Sequence, residues 1–469
     1  MSVGCGRAGA AGRERRACLT GLPTPRWDPS SATPLTGGVR HGARVVGVGR
    51  GRFWWVGVAE GLARRLGTGD AVVVGLSAMI GAGVFAAFAP AAAAAGAWLL
   101  AALALAAVVA YCNATSSARL AALYPESGGT YVYGRRRLGP LWGYLAGWGF
   151  TIGKTASCAA MALTFGAYVA PGAARPLAVA AVVALTLLNL YGVQRSATVA
   201  RVIVVLVLAV LAAVIAAGLT GESTPPVAPG VLAGPGLWGV LQGAGLLFFA
   251  FAGYARIATL GEEVRDPSRS IPRAIGIALS VTLVVYTLIA VAALRTLGPS
   301  GLAGSRAPLA DVARRAGVEW LVPVVGVGAA VASLGALLAL LLGVSRTVLA
   351  MARERDLPGA LAAVDPVRRV PRRAEAAVGA AVVVLLLVAD LRGAIGFSSF
   401  GVLVYYAIAN ACALTLSRAE GAPVKAVPLF GLVLCLVLAF TLPPASVVAG
   451  AAVFTAGLIA WAVRRRRRA

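Results

Sequence analysis

The chain has 469 residues, of which 59% are hydrophobic and only 13% are charged. A water-soluble domain cannot bury so large an apolar share, and disordered chains are poor in apolar residues, so both classes are excluded. The 42 basic and 17 acidic residues give a net charge of +25, but no basic stripe interleaves with aromatic residues, which argues against nucleic-acid binding. The composition predicts an all-α polytopic membrane protein.

The first 55 residues differ in composition from the rest of the chain. They are rich in Gly, Arg, Pro and Ser and lack the continuous apolar run of a signal peptide. We predict a disordered cytoplasmic tail over residues 1–55. The alternative is that the start site has been assigned too far upstream and that this segment is not part of the protein. Residues 56–463 are predicted to form one transmembrane domain, and residues 464–469 a basic cytoplasmic tail.

Apolar segments of about 20 residues recur from Asp70 onward, each long enough to cross a bilayer as a helix. We predict about twelve transmembrane helices. Their approximate spans are 70–95, 97–122, 141–169, 176–193, 198–219, 238–260, 273–297, 320–350, 374–391, 394–416, 426–441 and 445–463.

Positive charges fall mainly in alternate loops of this predicted topology, and the loop after the seventh span, with Arg306, Arg314 and Arg315, is a partial exception. Arg135–Arg137 follow the second span, Arg353 and Arg355 follow the eighth, and Arg464–Arg468 follow the twelfth, whereas residues 218–237 carry no Lys or Arg. Since cytoplasmic loops collect Lys and Arg, we expect a multi-pass protein of the cytoplasmic membrane with both termini in the cytoplasm. The arginine- and alanine-rich composition favours a bacterial source.

The residues of metal and acid–base chemistry are scarce. His41 is the only histidine and lies in the tail, and the six cysteines have no CxxC spacing. Zinc sites, haem ligation and histidine catalysis therefore lack their usual residues. We predict no catalytic residue, no metal ligand and no cofactor, and we expect the cysteines of the apolar segments to be buried free thiols.

The first and sixth predicted spans each contain a glycine interruption. Gly81 and Gly83 flank Ala82 in the first span, and Gly253 follows an aromatic cluster in the sixth. Unwound backbone at membrane depth is tolerated where it lines a cavity, and paired interruptions indicate a binding site between inverted repeats. Free amides in one break and free carbonyls in the other would bind a zwitterion, although close helix packing by small residues is an equal reading of the first segment.

Four motifs resemble those of the amino acid–polyamine–organocation permease superfamily, in particular its cationic-amino-acid-transporter-like bacterial branch. They are MIGAGVF at 79–85, YPESGGTYVYGRRRLGPLWGYLAGW at 124–148, FFAFAGYA followed by GEEVRDPSRSIPRAI at 248–275, and SRTVLAMARERDLP at 345–358. The resemblance implies a 5+5 inverted repeat with broken helices 1 and 6, two further helices, and alternating access.

The resemblance also implies which residues contact the substrate. The first break would contact a carboxylate through Ile80, Gly81, Ala82 and Gly83. The second would contact the ammonium group or side chain, or gate the site, through Phe248, Ala250, Phe251, Ala252 and Gly253.

Residues for coupling and gating are less clear. Proton-coupled members that resemble this chain carry a lysine before a Leu-Ala-Val-Leu stretch in the fifth span, where this chain has Val207. Lys154, deep in the third span, is the candidate replacement, because an intramembrane lysine indicates function by default. Its alternative is a structural role, capping carbonyl groups of a broken helix.

Charged residues also follow the sixth break. Arg256 would disfavour cationic substrates by like-charge repulsion, or instead reach the interface or pair with Glu262 or Glu263. We predict a charged loop that contains Glu262, Glu263, Arg265, Asp266 and Arg269 and that Pro267 and Pro272 stiffen. It is interpreted either as a cytoplasmic latch or as a solvated loop.

These features predict a secondary transporter of amino acids, neutral ones being favoured, that works by proton coupling or exchange. A cationic amino acid or polyamine exchanger of the same family is the alternative. A membrane-embedded lipid-modifying enzyme is the rival from another class, but the chain has few candidate catalytic acids near the membrane. The expected partners are a small amino acid, the lipid bilayer and protons, with no nucleic acid.

Overall fold

The computed structural model describes residues 66–125, 128–192, 197–221, 236–258, 264–366, 368 and 370–466. Each of the twelve predicted spans coincides with helical chain in this described part. Nine helical segments of the described residues are long and apolar enough to cross a membrane. The tail predicted over residues 1–55 lies outside the described residues, as do Glu262 and Glu263.

The first half of the described chain contains the helices of the first five spans. They are α1 (Thr68–Met79), α2 (Ala82–Ala86), α3 (Phe88–Ala95), α4 (Leu99–Leu123), α5 (Thr130–Arg137), α6 (Pro140–Val169), α7 (Ala174–Leu190) and α8 (Ala197–Thr220).

The remaining helices form the other seven spans and one short connecting helix. They are α9 (Gly236–Phe251), α10 (Ala255–Ala258), α11 (Pro267–Gly304), α12 (Pro308–Arg315), α13 (Leu321–Arg353), α14 (Arg372–Val388), α15 (Leu391–Leu414), α16 (Ala426–Thr441) and α17 (Pro444–Arg466).

Two spans are interrupted, as the glycine pattern predicts. Helix α1 ends at Met79, and Gly81 has a ψ of −137°, which stops the helix before α2 begins. In the sixth span, α9 ends at Phe251 and a 3₁₀ turn over Ala252–Tyr254 separates it from α10. The prediction of an all-α fold with broken helices 1 and 6 is confirmed.

The packing places both interrupted spans inside the bundle. Helix α6 packs against α13, α14 and α15, while the first interrupted span packs against α9, α11 and the turn at Ala252–Tyr254. Small residues allow these close approaches, because TM helices associate through contact and hydrogen bonding rather than through hydrophobic burial. The interrupted spans are therefore held by neighbouring helices on several sides.

The segment after the sixth span is more helical than its charge pattern predicts. Helix α11 begins at Pro267, so Arg269 and Pro272 lie in its first turns rather than in a loop. Proline is favoured in the first turn of a helix, where its missing N–H has no partner to lose. The expectation that Pro267 and Pro272 stiffen a loop is therefore wrong.

The two ends of the described chain lie on the same side of the bundle. Asp70 in the first turn of α1 is ion-paired with Arg201 near the start of α8. Arg368, beyond α13, donates to the carbonyl oxygen of Leu190 at the end of α7, and Arg464 near the end of α17 donates a hydrogen bond of 3.0 Å to the Asp356 carbonyl oxygen, also beyond α13. We call this side the arginine-rich face, since it carries Arg135–Arg137 and Arg464–Arg466. An even number of spans accounts for this arrangement.

Candidate functional site

The two helix breaks contact each other directly through glycines. A Cβ atom on Gly83 would lie 2.8 Å from the Cα atom of Ala250, and one on Gly253 would lie 2.6 Å from the backbone nitrogen of Met79. These distances are shorter than any real Cβ contact, and the neighbouring atoms are backbone. Glycine is therefore required at both positions for the broken spans to meet.

Tyr286 of α11 lies within hydrogen-bond distance of carbonyl groups at both breaks. Its hydroxyl group lies 2.6 Å from the carbonyl oxygen of Met79 and 3.2 Å from that of Ala250. The buried ring packs edge-on against Phe88 and Phe251. Interrupted helices leave carbonyl groups that need partners inside a membrane, and one phenol hydrogen is shared between two of them here.

Lys154 of α6 lies at the second break. Its side chain is only 7% exposed, and Nζ donates a hydrogen bond of 3.3 Å to the carbonyl oxygen of Ala252, the first residue of the 3₁₀ turn. The arrangement fits the capping role set out above and also places the ammonium group beside the candidate site. A cation held this way stabilises the unwound turn because the exposed carbonyl dipoles are negative.

A cavity of about 220 Å³ lies where the two breaks meet. Its wall is formed by α1, α2, α5, α6, α9, α10, α13, α15 and the 3₁₀ turn at Ala252–Tyr254. Four of the predicted substrate-binding residues line it, namely Gly83, Ala250, Ala252 and Gly253. The coupling candidates Lys154 and Arg256 line it as well.

The other predicted substrate-binding residues lie outside the set that lines the cavity. Gly81 packs so that an added Cβ would lie 2.8 Å from the Cβ of Ala336, and Ile80 and Ala82 are buried beside it. Phe248 packs against Tyr406, and Phe251 against Tyr286. Glu262 and Glu263 lie outside the described residues.

The charged side chains of the cavity wall are cationic. Lys154, Arg256 and Arg346 line the cavity, and among the described residues no Asp or Glu does. The described part of the chain also holds no cluster of His, Cys, Asp and Glu that could bind a metal ion. The field inside the cavity therefore favours a carboxylate over an ammonium side chain.

Tyr168 connects three helices on the side of the bundle away from the arginine-rich face. Tyr168 of α6 donates a hydrogen bond of 3.1 Å to the carbonyl oxygen of Phe85 and accepts one of 3.2 Å from the backbone N–H of Leu309 in α12. The rings of Phe85 and Tyr168 also pack edge to face. These contacts join α2, α6 and α12 above the cavity.

On the arginine-rich face the cavity reaches Tyr131 and Arg346. The Tyr131 hydroxyl group donates to Oδ2 of Asp356 at 2.8 Å, and Arg135 donates to the same oxygen at 2.9 Å. Burial raises the pKa of the Tyr131 phenol, and the hydrogen bond to Asp356 raises it further, so the phenol remains a neutral donor. This cluster joins α5 to the segment after α13 beside the cavity.

Sequence reasoning missed Tyr286, Tyr168 and Arg346. Each belongs to a long apolar helix. The two tyrosines are unremarkable there by pattern, and their partners are distant along the chain. The Tyr286–Met79 bond joins residues 207 positions apart. Arg346 could have been found from one signal, because it is an ionisable residue inside an apolar span.

Comparison with known proteins identifies a set of transporters. The sequence profile named "Amino acid permease" matches residues 66–463. An uncharacterized transporter of Mycobacterium tuberculosis is 64% identical over 408 residues, covering 87% of this chain and 93% of its own. Cationic amino acid transporter 7 of Arabidopsis thaliana, a chloroplastic protein, is 29% identical over 75% of this chain and 65% of its own. The branched-chain amino acid permease BcaP of Bacillus subtilis is 26% identical over 66% and 72%.

Proposed function

Because the chain belongs to the amino acid permease family, we propose that it is a secondary transporter that carries an amino acid through the cavity between its two broken spans. The observation that carries this proposal is the contact of both breaks at one cavity, with Gly83 on one side and Gly253 on the other. Interrupted spans that meet at membrane depth are typical of transporter binding sites. Exposure of this cavity alternately to the two sides of the membrane then moves the substrate without changing it chemically.

The backbone groups of the two breaks supply the recognition. A substrate carboxylate would lie near the start of the helical run from Ala82 to Ala95, whose free N–H groups point along the helix axis. The ammonium group would lie near the turn that contains Ala252 and Gly253. Lys154 holds the carbonyl oxygen of Ala252 and so acts as the gating residue of the second break.

Neutral amino acids are the substrates we favour. Lys154 and Arg346 add two positive charges to the cavity wall, and the described residues that line it contribute no carboxylate to offset them. A lysine, arginine or polyamine substrate would meet like charge there. Because some relatives are named as cationic amino acid transporters, a cationic substrate is the alternative. Counterflow with neutral and with cationic amino acids distinguishes the two substrate classes.

The charge of the loops supports an orientation in the cytoplasmic membrane of a bacterial cell. The arginine-rich face would lie in the cytoplasm together with both termini, as cytoplasmic loops collect Lys and Arg. The cavity would then extend towards the cytoplasm, and Tyr168 would lie on the outer side of the bundle. Proton symport and exchange both fit this arrangement.

Counterflow in proteoliposomes tests the proposal. Vesicles containing the purified protein are loaded with one unlabelled L-amino acid, diluted, and supplied with the same tritiated amino acid, for each of the twenty in turn. We expect transient accumulation with at least one neutral amino acid, about tenfold or more above that with arginine or lysine. Protein-free vesicles are the control. Accumulation of arginine alone would support the cationic exchanger, and no accumulation of any amino acid would contradict the transporter.

A further inference from the structure

A buried carboxyl group lies outside the cavity lining. Glu375, the fourth residue of α14, is 2% exposed and does not line the cavity. Helix α14 packs against α6, α7 and α13. An acidic side chain inside a membrane domain is costly and marks a functional position by default. The transport scheme above gives this group no role.

The two oxygens of Glu375 differ in their hydrogen bonds. Oε1 accepts a hydrogen bond of 2.7 Å from Nδ2 of Asn189 in α7. Oε2 has no hydrogen-bond partner among the described residues. The hydroxyl group of Ser345 in α13 lies beside the carboxyl group and 3.0 Å from the carbonyl oxygen of Leu342. Because a hydroxyl group rotates, Ser345 can donate to an ionised Oε2 or, while it donates to Leu342, accept from a protonated one.

This arrangement accommodates the carboxyl group with and without a proton. An ionised Glu375 requires the Ser345 hydroxyl group to turn from Leu342 to Oε2, because an unpaired buried oxygen is costly. A proton on Oε2 lets that oxygen donate to Oγ of Ser345, while Oε1 keeps its bond from Asn189. Every polar atom of the carboxyl group then has a partner.

We propose that Glu375 carries the proton that this transporter moves with its amino acid. The inference rests on the proposed transport function. In this scheme Oε2 takes a proton from water on one side of the membrane and releases it on the other, and no other bond is made or broken. The site belongs to the interface of α7, α13 and α14 rather than to the broken spans.

The charged and titratable groups around Glu375 connect it to the cavity. Helix α13 contributes Arg346, which interacts electrostatically with the carboxyl group and also lines the cavity. Helix α6 contributes Cys158, which is within electrostatic range of Glu375, and Lys154 one turn earlier. Helix α7 contributes only the uncharged Asn189 at this point, and Arg372 and Arg373 precede Glu375 in the first turn of α14 itself.

Arg346 gives the coupling a physical basis. While Glu375 is ionised, its negative charge offsets that of the Arg346 guanidinium group. A proton on Glu375 removes the offset, so the cavity wall becomes more positive and holds a substrate carboxylate more tightly. By linkage, a bound substrate favours protonation of Glu375 by the same factor. Proton and amino acid are therefore bound and released together.

Proton influx into proteoliposomes tests this proposal. The vesicles contain a trapped pH-sensitive dye and receive an equimolar mixture of the neutral L-amino acids from outside. Wild-type protein is expected to acidify the interior. Glu375→Gln keeps the shape of the side chain and its acceptor for Asn189, but it carries no exchangeable acid proton. We expect it to lower proton influx at least tenfold while counterflow of the tritiated mixture stays within threefold of wild type.

Two further variants separate proton carriage from a structural role. Glu375→Asp retains a carboxyl group and should retain proton influx. Ser345→Ala removes the hydroxyl group whose donation favours the ionised acid and should move the pH of half-maximal influx towards alkaline by about half to one unit, the value of one hydrogen bond. A residue that only holds helices together would leave that pH unchanged, and Ser345→Ala remains informative if Glu375→Gln does not fold.

The outcomes distinguish this inference from the transport function itself. Wild-type counterflow without proton influx, or proton influx in Glu375→Gln equal to wild type, overturns the role of Glu375 and leaves the transporter intact. Absence of counterflow in the wild type contradicts the transporter.

Discussion

The hydrogen bond from Lys154 to Ala252 bears on whether this lysine caps the broken helix or couples transport to protons. The ammonium group donates to the carbonyl oxygen of Ala252, so its removal leaves an unwound turn without its cap. A coupling role would make the effect depend on the proton gradient, whereas a capping role would not. The contact with Ala252 favours the cap.

We expect Lys154→Met to lower counterflow by about tenfold or more at every pH from 6 to 8, since a hydrogen bond from a charged donor contributes about 1.5–3 kcal/mol. Lys154→Arg keeps a cationic donor and serves as the matched control. Initial rates in proteoliposomes measure the effect. A loss confined to conditions with a proton gradient would instead assign coupling to this lysine.

Gly253 shows how little space separates the breaks. We expect Gly253→Ala to reduce counterflow at least tenfold and to destabilise the protein by about 1–3 kcal/mol, because the new methyl group overlaps the backbone at Met79. Thermal unfolding in detergent measures the stability. Gly276→Ala in α11, where an added Cβ meets nothing within 4 Å, is the control, and equal behaviour of the two variants would refute the close contact.

At the scale of the helix, the interruptions depend on an unbroken neighbour. Helix α11 runs beside the first break and presents Tyr286 to carbonyl groups of α1 and α9. The broken spans are thus joined by a third helix.

Tyr286→Phe isolates this contribution, because the ring contacts with Phe88 and Phe251 remain while the hydroxyl group is lost. We expect a destabilisation of about 1–3 kcal/mol from the buried carbonyl groups left without a donor, seen as a lower melting temperature and as weaker counterflow. Tyr111→Phe, at a position 59% exposed, should change neither. A Tyr286→Phe protein that melts like the wild type would show that the bond is dispensable.

The sequence predicts which helices are interrupted, but it does not predict the hydrogen bonds that other helices make around them. Glycines at 81, 83 and 253 are local signals, since a residue without a Cβ weakens a helix wherever it stands. The bonds from Lys154 to Ala252 and from Asn189 to Glu375 join residues 98 and 186 positions apart. Their formation depends on which faces of α6, α7 and α14 turn inward, and alanine-rich helices have too weak an apolar pattern to specify that facing.

Helix ends were likewise predictable only where the chain changes composition sharply. Pro267 begins α11 inside a charged stretch that resembles a loop by composition. The proline itself was the better guide, because its fixed φ suits the first helical turn.

At the scale of the whole molecule, the distribution of arginine and the number of spans favour the orientation proposed for this chain. The chain enters and leaves the bundle on the arginine-rich face, and α12 with its flanking turns lies on the other side. Exposed positions on each side are available as reporters, Ala419 on the arginine-rich face and Glu319 opposite it.

We expect a membrane-impermeant maleimide to label Glu319→Cys in intact cells and to leave Ala419→Cys unlabelled until the membrane is opened. Inverted vesicles should reverse the pattern. The four cysteines of the described residues are buried, and the unsubstituted protein is the background control. Labelling of Ala419→Cys in intact cells would place the arginine-rich face outside.

The hydroxyl group of Tyr286 has one hydrogen, and two carbonyl oxygens lie within its reach, at 2.6 Å and 3.2 Å. At any instant the hydroxyl group donates to one of these carbonyl oxygens and not to the other. The two interruptions thus compete for a shared donor. Because Met79 and Ala250 both line the cavity, we expect a substrate that donates to one carbonyl oxygen to leave the phenol hydrogen to the other.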